Sequence, residues 1–274
     1  GARIRAAEVD DVGGNIESVT IGGKVEEGSG DEIRSDEGYI GTVNVGEDEA
    51  EGLPDSGGRD LAGDIDAEVH IEAVSVGGAI TATGSVDTDG YLHEVDVGHN
   101  MAGLIDADGL LGREDVTDEI DVDIAGELSG LVEGGQIGDV VQDIEQVDAE
   151  AEPDIQVGSI TEDGVIRAIF LQDQAAATGH IGWVDVEGNM EGVIRAHAGW
   201  GGTIDKITIA GDFGADNIEA GVFADTAYKV EIEGSVQGDA SAVQLLPDMH
   251  TFIASKEGTV VENLWIWGDV VDAQ

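Results

Sequence analysis

Residues 180–199 read "HIGWVDVEGNMEGVIRAHAG" and residues 203–221 read "TIDKITIAGDFGADNIEAG". The first stretch carries apolar residues at Ile181, Val184, Val186 and Met190 with Gly188 between the last two, so the offsets from Ile181 are 3, 5 and 9, with glycine at 7. The second repeats that spacing with Ile204, Ile207, Ile209, Gly211 and Phe213. A recurrence this regular calls for a search of the whole chain before any local assignment.

The same spacing returns at Ile16, Val19, Ile21, Gly23 and Val25, at Ile71, Val74, Val76, Gly78 and Ile80, and at Val261, Leu264, Ile266, Gly268 and Val270. Worn copies start at Ile40 and Leu92, and in two more Glu119 and Ala227 replace the first apolar residue. A weak copy runs through Ile155 and Val157. About ten units result. A second motif, Ile-x-Ala/Ser, follows most of them: Ile33 with Ser35, Ile105 with Ala107, Ile166 with Ala168, Ile194 with Ala196, Ile218 with Ala220, and Ile253 with Ser255.

Alternation of period two between Gly, Asp and Asn punctuation reads as short strands. Helices are disfavoured, because interior glycine costs roughly 1 kcal/mol per position and the chain has 43 Gly. An antiparallel sandwich shares the alternation, but it has no need of identical offsets in identical order, whereas stacked repeats do. The expected fold is therefore all-β: a single-domain parallel β-helix, or β-solenoid, of about ten turns with corner loops. Its rungs would be ~4.8 Å apart. Glycine at offset 7 is expected where the chain bends or takes a positive φ. Unit-length variation places loops around 46–63, 108–118, 129–151 and 238–250. The domain is read as spanning 1–274, a processed chain or a module of a longer protein, since it opens on Gly1 rather than Met.

This pattern, carried by "IESVTIGGKV", "IEAVSVGGAI" and "TIDKITIAGDF", resembles the right-handed parallel β-helix repeat proteins of prokaryotic cell surfaces. The resemblance covers essentially the whole chain and specifies architecture rather than activity. It implies an extracellular or cell-surface location and a place among adhesins, matrix or filament proteins, or pectin-lyase-like polysaccharide enzymes.

Charge narrows the partners. Sixty acidic residues against eleven basic ones leave a formal charge of −49, which repels nucleic acid and anionic membranes and concentrates cations. High-salt adaptation and solubility of a repetitive chain explain such acidity equally well. No apolar run is long enough to span a membrane. The absence of Cys excludes disulfides and thiolate metal sites. No HExxH, GxSxG, P-loop, Rossmann or EF-hand pattern occurs.

Stacking suggests where a cation would sit. Asp96 and Asp123 occupy the same outward position on successive units, and two carboxylates about 5 Å apart need a cation or a raised pKa. Asp87, Asp89, Asp106 and Asp108 form a second acidic group, in "DTDG" and "DADG". Oxygen-rich sets of this kind suit Ca2+. Arg167 and Arg195 should stack and neutralise neighbouring acids. In "NLWIWGDV", Trp265 and Trp267 flank an inward Ile266 and so face outward as a candidate interface.

These readings favour a structural or adhesive surface protein, not an enzyme, that assembles head to tail or joins further domains and recruits divalent cations. The alternative is a protein that binds or cleaves polysaccharide, by lyase or hydrolase chemistry, in a groove lined by Trp183, Trp200 and Arg195.

Overall fold

Because the side-chain period of a strand is two, the offsets 3 and 5 share a face and dictate which residues turn inward. In the computed structural model they do. The structure describes residues 3–6, 14–25, 32–46, 59–112, 121–138, 152–169, 179–196, 202–214, 220–224, 226–238, 251–255, 261–266 and 270–272.

Two long ladders of parallel strands carry the chain. The first contains β2 (Ile16–Ile21), β4 (Tyr39–Val45), β6 (His70–Val76), β8 (Tyr91–Val97), β10 (Val122–Leu128), β12 (Ile155–Ile160), β14 (His180–Val186), β16 (Thr203–Ile209), β18 (Thr226–Ile232) and β21 (Val261–Ile266). The second contains β1 (Arg3–Ala6), β3 (Glu32–Ser35), β5 (Asp64–Ala67), β7 (Ser85–Thr88), β9 (Leu104–Leu111), β11 (Leu131–Ile137), β13 (Val165–Ala168), β15 (Val193–Ala196), β17 (Ala220–Ala224) and β20 (Thr251–Ser255). Every neighbouring pair in each ladder is parallel, and together they form one twenty-stranded sheet. A third row is built from single bridges, Val25 to Leu61, Ile80, Met101 and Leu128, then Ile160 to Met190, Phe213 and Val236. It continues in the pair β19 (Val236–Gly238) and β22 (Val270–Asp272).

The expectation of a right-handed parallel β-solenoid of about ten turns, and the resemblance that implied it, are corrected by how the two ladders meet. Leu92 pairs with Leu111 and Ile137 pairs with Ile181, so the ends of β9 and β11 enter the first ladder. The strands β8, β10, β12, β14, β11 and β9 then close into an all-parallel six-stranded barrel, with the remaining strands outside it. The physical cause is continuous pairing through the corner. Gly109 donates to the Gly90 carbonyl at 2.7 Å and Gly112 to the Leu92 carbonyl at 2.8 Å, so β9 stays hydrogen-bonded through the corner, with a register shift against β11 between Gly134 and Gln136.

This closure also corrects two assignments of the repeat. Leu111 and Ile137, not Glu119, occupy the inward position beside Leu92 and Ile181; Glu119 lies outside the described residues. In the second ladder Val222 pairs with Ile194 and Ile253, so Val222 and Ala224 replace the expected Ile218 and Ala220. Residues 108–112 and 129–138, expected in loops, largely belong to β9 and β11. Most of the other expected loop residues lie outside the described residues.

The core is a set of aliphatic columns. Ile40, Ile71, Leu92, Leu111, Ile137, Ile181 and Ile204 are all fully buried, as are Val43, Val122, Ile155, Val184 and Ile207. Small residues at the second inward position of the other ladder, Ala67, Ala107, Ala168 and Ala196, are buried too.

Glycine works differently from expectation. Among the described residues none of the offset-7 glycines has a positive φ; Gly46, Gly112, Gly138, Gly179 and Gly214 do, and each adjoins a segment outside the described residues. A left-handed conformation at these positions is one that glycine adopts without a steric penalty. At offset 7 the need is space: a Cβ on Gly78 would lie 2.7 Å from the Arg59 backbone, and one on Gly211 2.5 Å from the carbonyl carbon of Gly188. Side chains tie the same corners together, Asn100 accepting from Glu127 N–H at 3.1 Å and Asn189 from Asp212 N–H at 2.9 Å.

Candidate functional site

The outward position of the second ladder reads, rung by rung, Arg5, Arg34, Asp66, Asp87, Asp106, Glu133, Arg167 and Arg195. Register alone creates this column: residues i, i+2 of each strand face one side, and parallel pairing places like offsets over one another. Four carboxylates thus stack between two pairs of arginines.

The ends of the acidic segment are neutralised. Arg34 lies 3.1 Å from Asp66, and also 2.7 Å from Asp36. Arg167 forms an ion pair with Glu133, whose side chain is buried. In the middle, Asp87 and Asp106 have a carboxylate on either side in the column. Burial first, then the charges of Asp87 and Asp108, push the Asp106 carboxyl up to about 6. Burial followed by Asp66, Asp89 and Asp108 raises Asp87, and burial with Asp89 raises Asp108. The Oδ1 atom of Asp106 is sealed from solvent without a hydrogen-bond partner, a costly state for a charged oxygen and a tolerable one for a protonated or cation-bound carboxyl.

The other expected carboxylate pair also forms. Asp96 and Asp123 are register partners in β8 and β10, and the Asp123 carboxyl is raised by burial, then by Asp96 and Glu187. This pair belongs to the first ladder and the Asp87, Asp89, Asp106 and Asp108 group to the second or its edge, so they make two separate acidic zones. Among the described residues no three His, Asp or Glu side chains converge as a ready-made metal cage. Among the described residues, further oxygen ligands around the paired carboxylates would be backbone carbonyls or water.

Arg167 and Arg195 are register partners, as expected. Arg195 also lies over the Phe223 ring, 4.7 Å from its centroid. Trp183 sits in the first ladder with the Lys206 ammonium 3.4 Å from its ring centroid. The expected groove of Trp183, Trp200 and Arg195 is thus not assembled from the described residues: Trp183 and Arg195 stand on different ladders, and Trp200 lies outside those residues. Trp265 pairs with Glu231 through β21; Trp267 lies outside the described residues.

Two clusters escaped the sequence reading. Tyr39, His70 and Tyr91 stack on successive rungs with centroids 4.9 and 4.6 Å apart, and Glu72 reaches His70 at 3.2 Å and His93 at 2.9 Å. Burial lowers the His70 pKa despite Glu72. The second cluster is His180 with Thr203 and Asp205. Overlaying "HIGWVDV" on "TIDKITI" puts His180 beside Thr203, and that was the available signal.

No protein-family model, curated protein or solved structure matches the chain. Among the described residues no helix is long and apolar enough to cross a membrane.

Proposed function

We propose that the chain is a structural or adhesive protein of an extracellular or cell-surface assembly, joined end to end with further copies or domains, whose acidic columns recruit divalent cations such as Ca2+. The observation that carries this reading is the column Asp66, Asp87, Asp106 and Glu133, a run of stacked carboxylates whose central members lack an adjacent arginine in the column. A cation between paired carboxylates offsets their repulsion, and the chain's charge of −49 raises the local cation concentration.

Edges support the assembly half of the reading. Among the described residues β2 pairs only with β4 and β21 only with β18, the arrangement that a further parallel strand would extend. A head-to-tail contact of this kind propagates rather than closes. The polysaccharide reading is less favoured, because the Trp183 face that would stack on a sugar is occupied by Lys206.

Electron microscopy of the purified chain with millimolar-range Ca2+ and with excess chelator tests both halves. Filaments or lattices that disperse on chelation are the expected result. Isolated particles in both conditions, with an unchanged melting temperature, would remove the proposal and direct attention to glycan binding.

A further inference from the structure

Outward positions on the first ladder are generally open. Tyr91 is 37% exposed, and Tyr39 and His70 are half-buried. Asp121, at 5% exposed, departs from this, and so do two residues on adjacent rungs. His180 is 2% exposed and Asp205 3% exposed, although both neighbour the inward Ile181 and Ile204. Burying an imidazole and a carboxylate is costly unless they are paired, and here they are.

The pairing has a direction. His180 Nε2 lies 3.3 Å from Asp205 Oδ2, and His180 Nδ1 lies 2.7 Å from Thr203 Oγ1. The Asp205 carboxylate beside Nε2 favours the tautomer protonated there, and in that tautomer Nδ1 accepts from the Thr203 hydroxyl. Thr203 is the member of the trio with partial exposure. A hydroxyl on a partly exposed residue, an imidazole within hydrogen-bond reach of it and a carboxylate beside the far ring nitrogen have the arrangement of an activated nucleophile.

We propose that Thr203, His180 and Asp205 form an acyl-transfer site that hydrolyses carboxylic esters. Thr203 Oγ1 attacks the ester carbonyl carbon while its proton passes to His180 Nδ1. The carbon–oxygen bond to the alcohol breaks, and His180 returns the proton to the departing oxygen. Water then attacks the acyl-Thr203 ester, giving its proton to His180, which delivers it to Thr203 as the acid leaves. One ester and one water become one acid and one alcohol. Asp205 is a positioning residue that holds the imidazole tautomer. The chain's negative charge selects uncharged or cationic esters over anionic ones.

The test uses the full chain and p-nitrophenyl acetate, with circular dichroism and melting curves to establish that each variant is folded. Peptide mass spectrometry of the wild-type protein should find a transient acetyl group on Thr203. Thr203→Val should lower hydrolysis by about a hundredfold or more, and Thr203→Ser should restore it. Asp205→Asn should slow acylation and change its pH profile, a readout that a merely structural contact would leave alone. Absence of acetyl-Thr203 in the folded wild-type chain, or equal rates for wild type and folded Thr203→Val, would overturn the proposal.

Discussion

Gly22 and Gly78 stand one offset apart in the repeat and meet opposite surroundings. A Cβ on Gly22 meets nothing within 4 Å, whereas one on Gly78 meets the Arg59 backbone at 2.7 Å. Gly22→Ala should therefore stabilise the protein by about 0.5 kcal/mol, through the narrower unfolded ensemble. Gly78→Ala should destabilise it by about 1–3 kcal/mol, because a backbone neighbour cannot swing aside. Urea midpoints for the two variants check the contrast; equal midpoints would mean that glycine at offset 7 is not there for close packing. The sequence shows that glycine recurs at this offset. It does not show why, since a positive φ and a tight approach select the same residue.

At the scale of the strand, the column through β5, β7, β9 and β11 makes stability respond to pH in an unusual direction. A carboxyl raised to about 6 in Asp106, against an unfolded value of about 3.9, contributes stability that is fully present below the unfolded value and lost as pH rises through the folded one. Asp66 and Asp87 are shifted the same way, with burial the largest cause in each. His70 opposes them: its lowered pKa contributes stability above the unfolded value, which is lost as pH falls through the folded one. Asp106→Asn separates the two effects. By calorimetry it should melt higher than wild type at pH 7 and gain less than wild type between pH 7 and pH 5. An identical pH response in both proteins would exclude the column as its source.

Much of this strand-level order was legible. The partners Asp96 and Asp123, and Arg167 and Arg195, follow from the repeat spacing alone. What escaped was the rung through Leu111 and Ile137. There the described residues run to Gly112 and Gly138, just past the first inward residue, and the next inward residues described are Val122 and Ile155. A fixed-offset search therefore reached Glu119 where the molecule uses Leu111. Barrel closure escaped for a related reason, because hydrophobic periodicity reports which face is buried and not where a strand crosses into the next ladder. The Thr203, His180 and Asp205 trio needed the register of β14 against β16 rather than any linear motif.

For the whole molecule, self-repulsion is the dominant electrostatic fact. A charge of −49 on 274 residues penalises the compact state, and screening shortens from about 30 Å at 0.01 M salt to about 3 Å at 1 M. Melting temperature should thus climb steadily with NaCl across that range. A flat response would show that the described ion pairs already balance the surface. The parallel ladders have one more consequence, in mechanics. Their hydrogen bonds point from rung to rung, so a pull along the stacking direction loads a few bonds at a time and peels the terminal strands away singly. A pull along the strands loads a whole ladder in shear. The six-stranded ring, in which β9 and β11 bind both ladders together, resists both. Force spectroscopy through attachment points at the two ends of the stack should accordingly record small, sequential ruptures, ending in one larger event when the ring gives way.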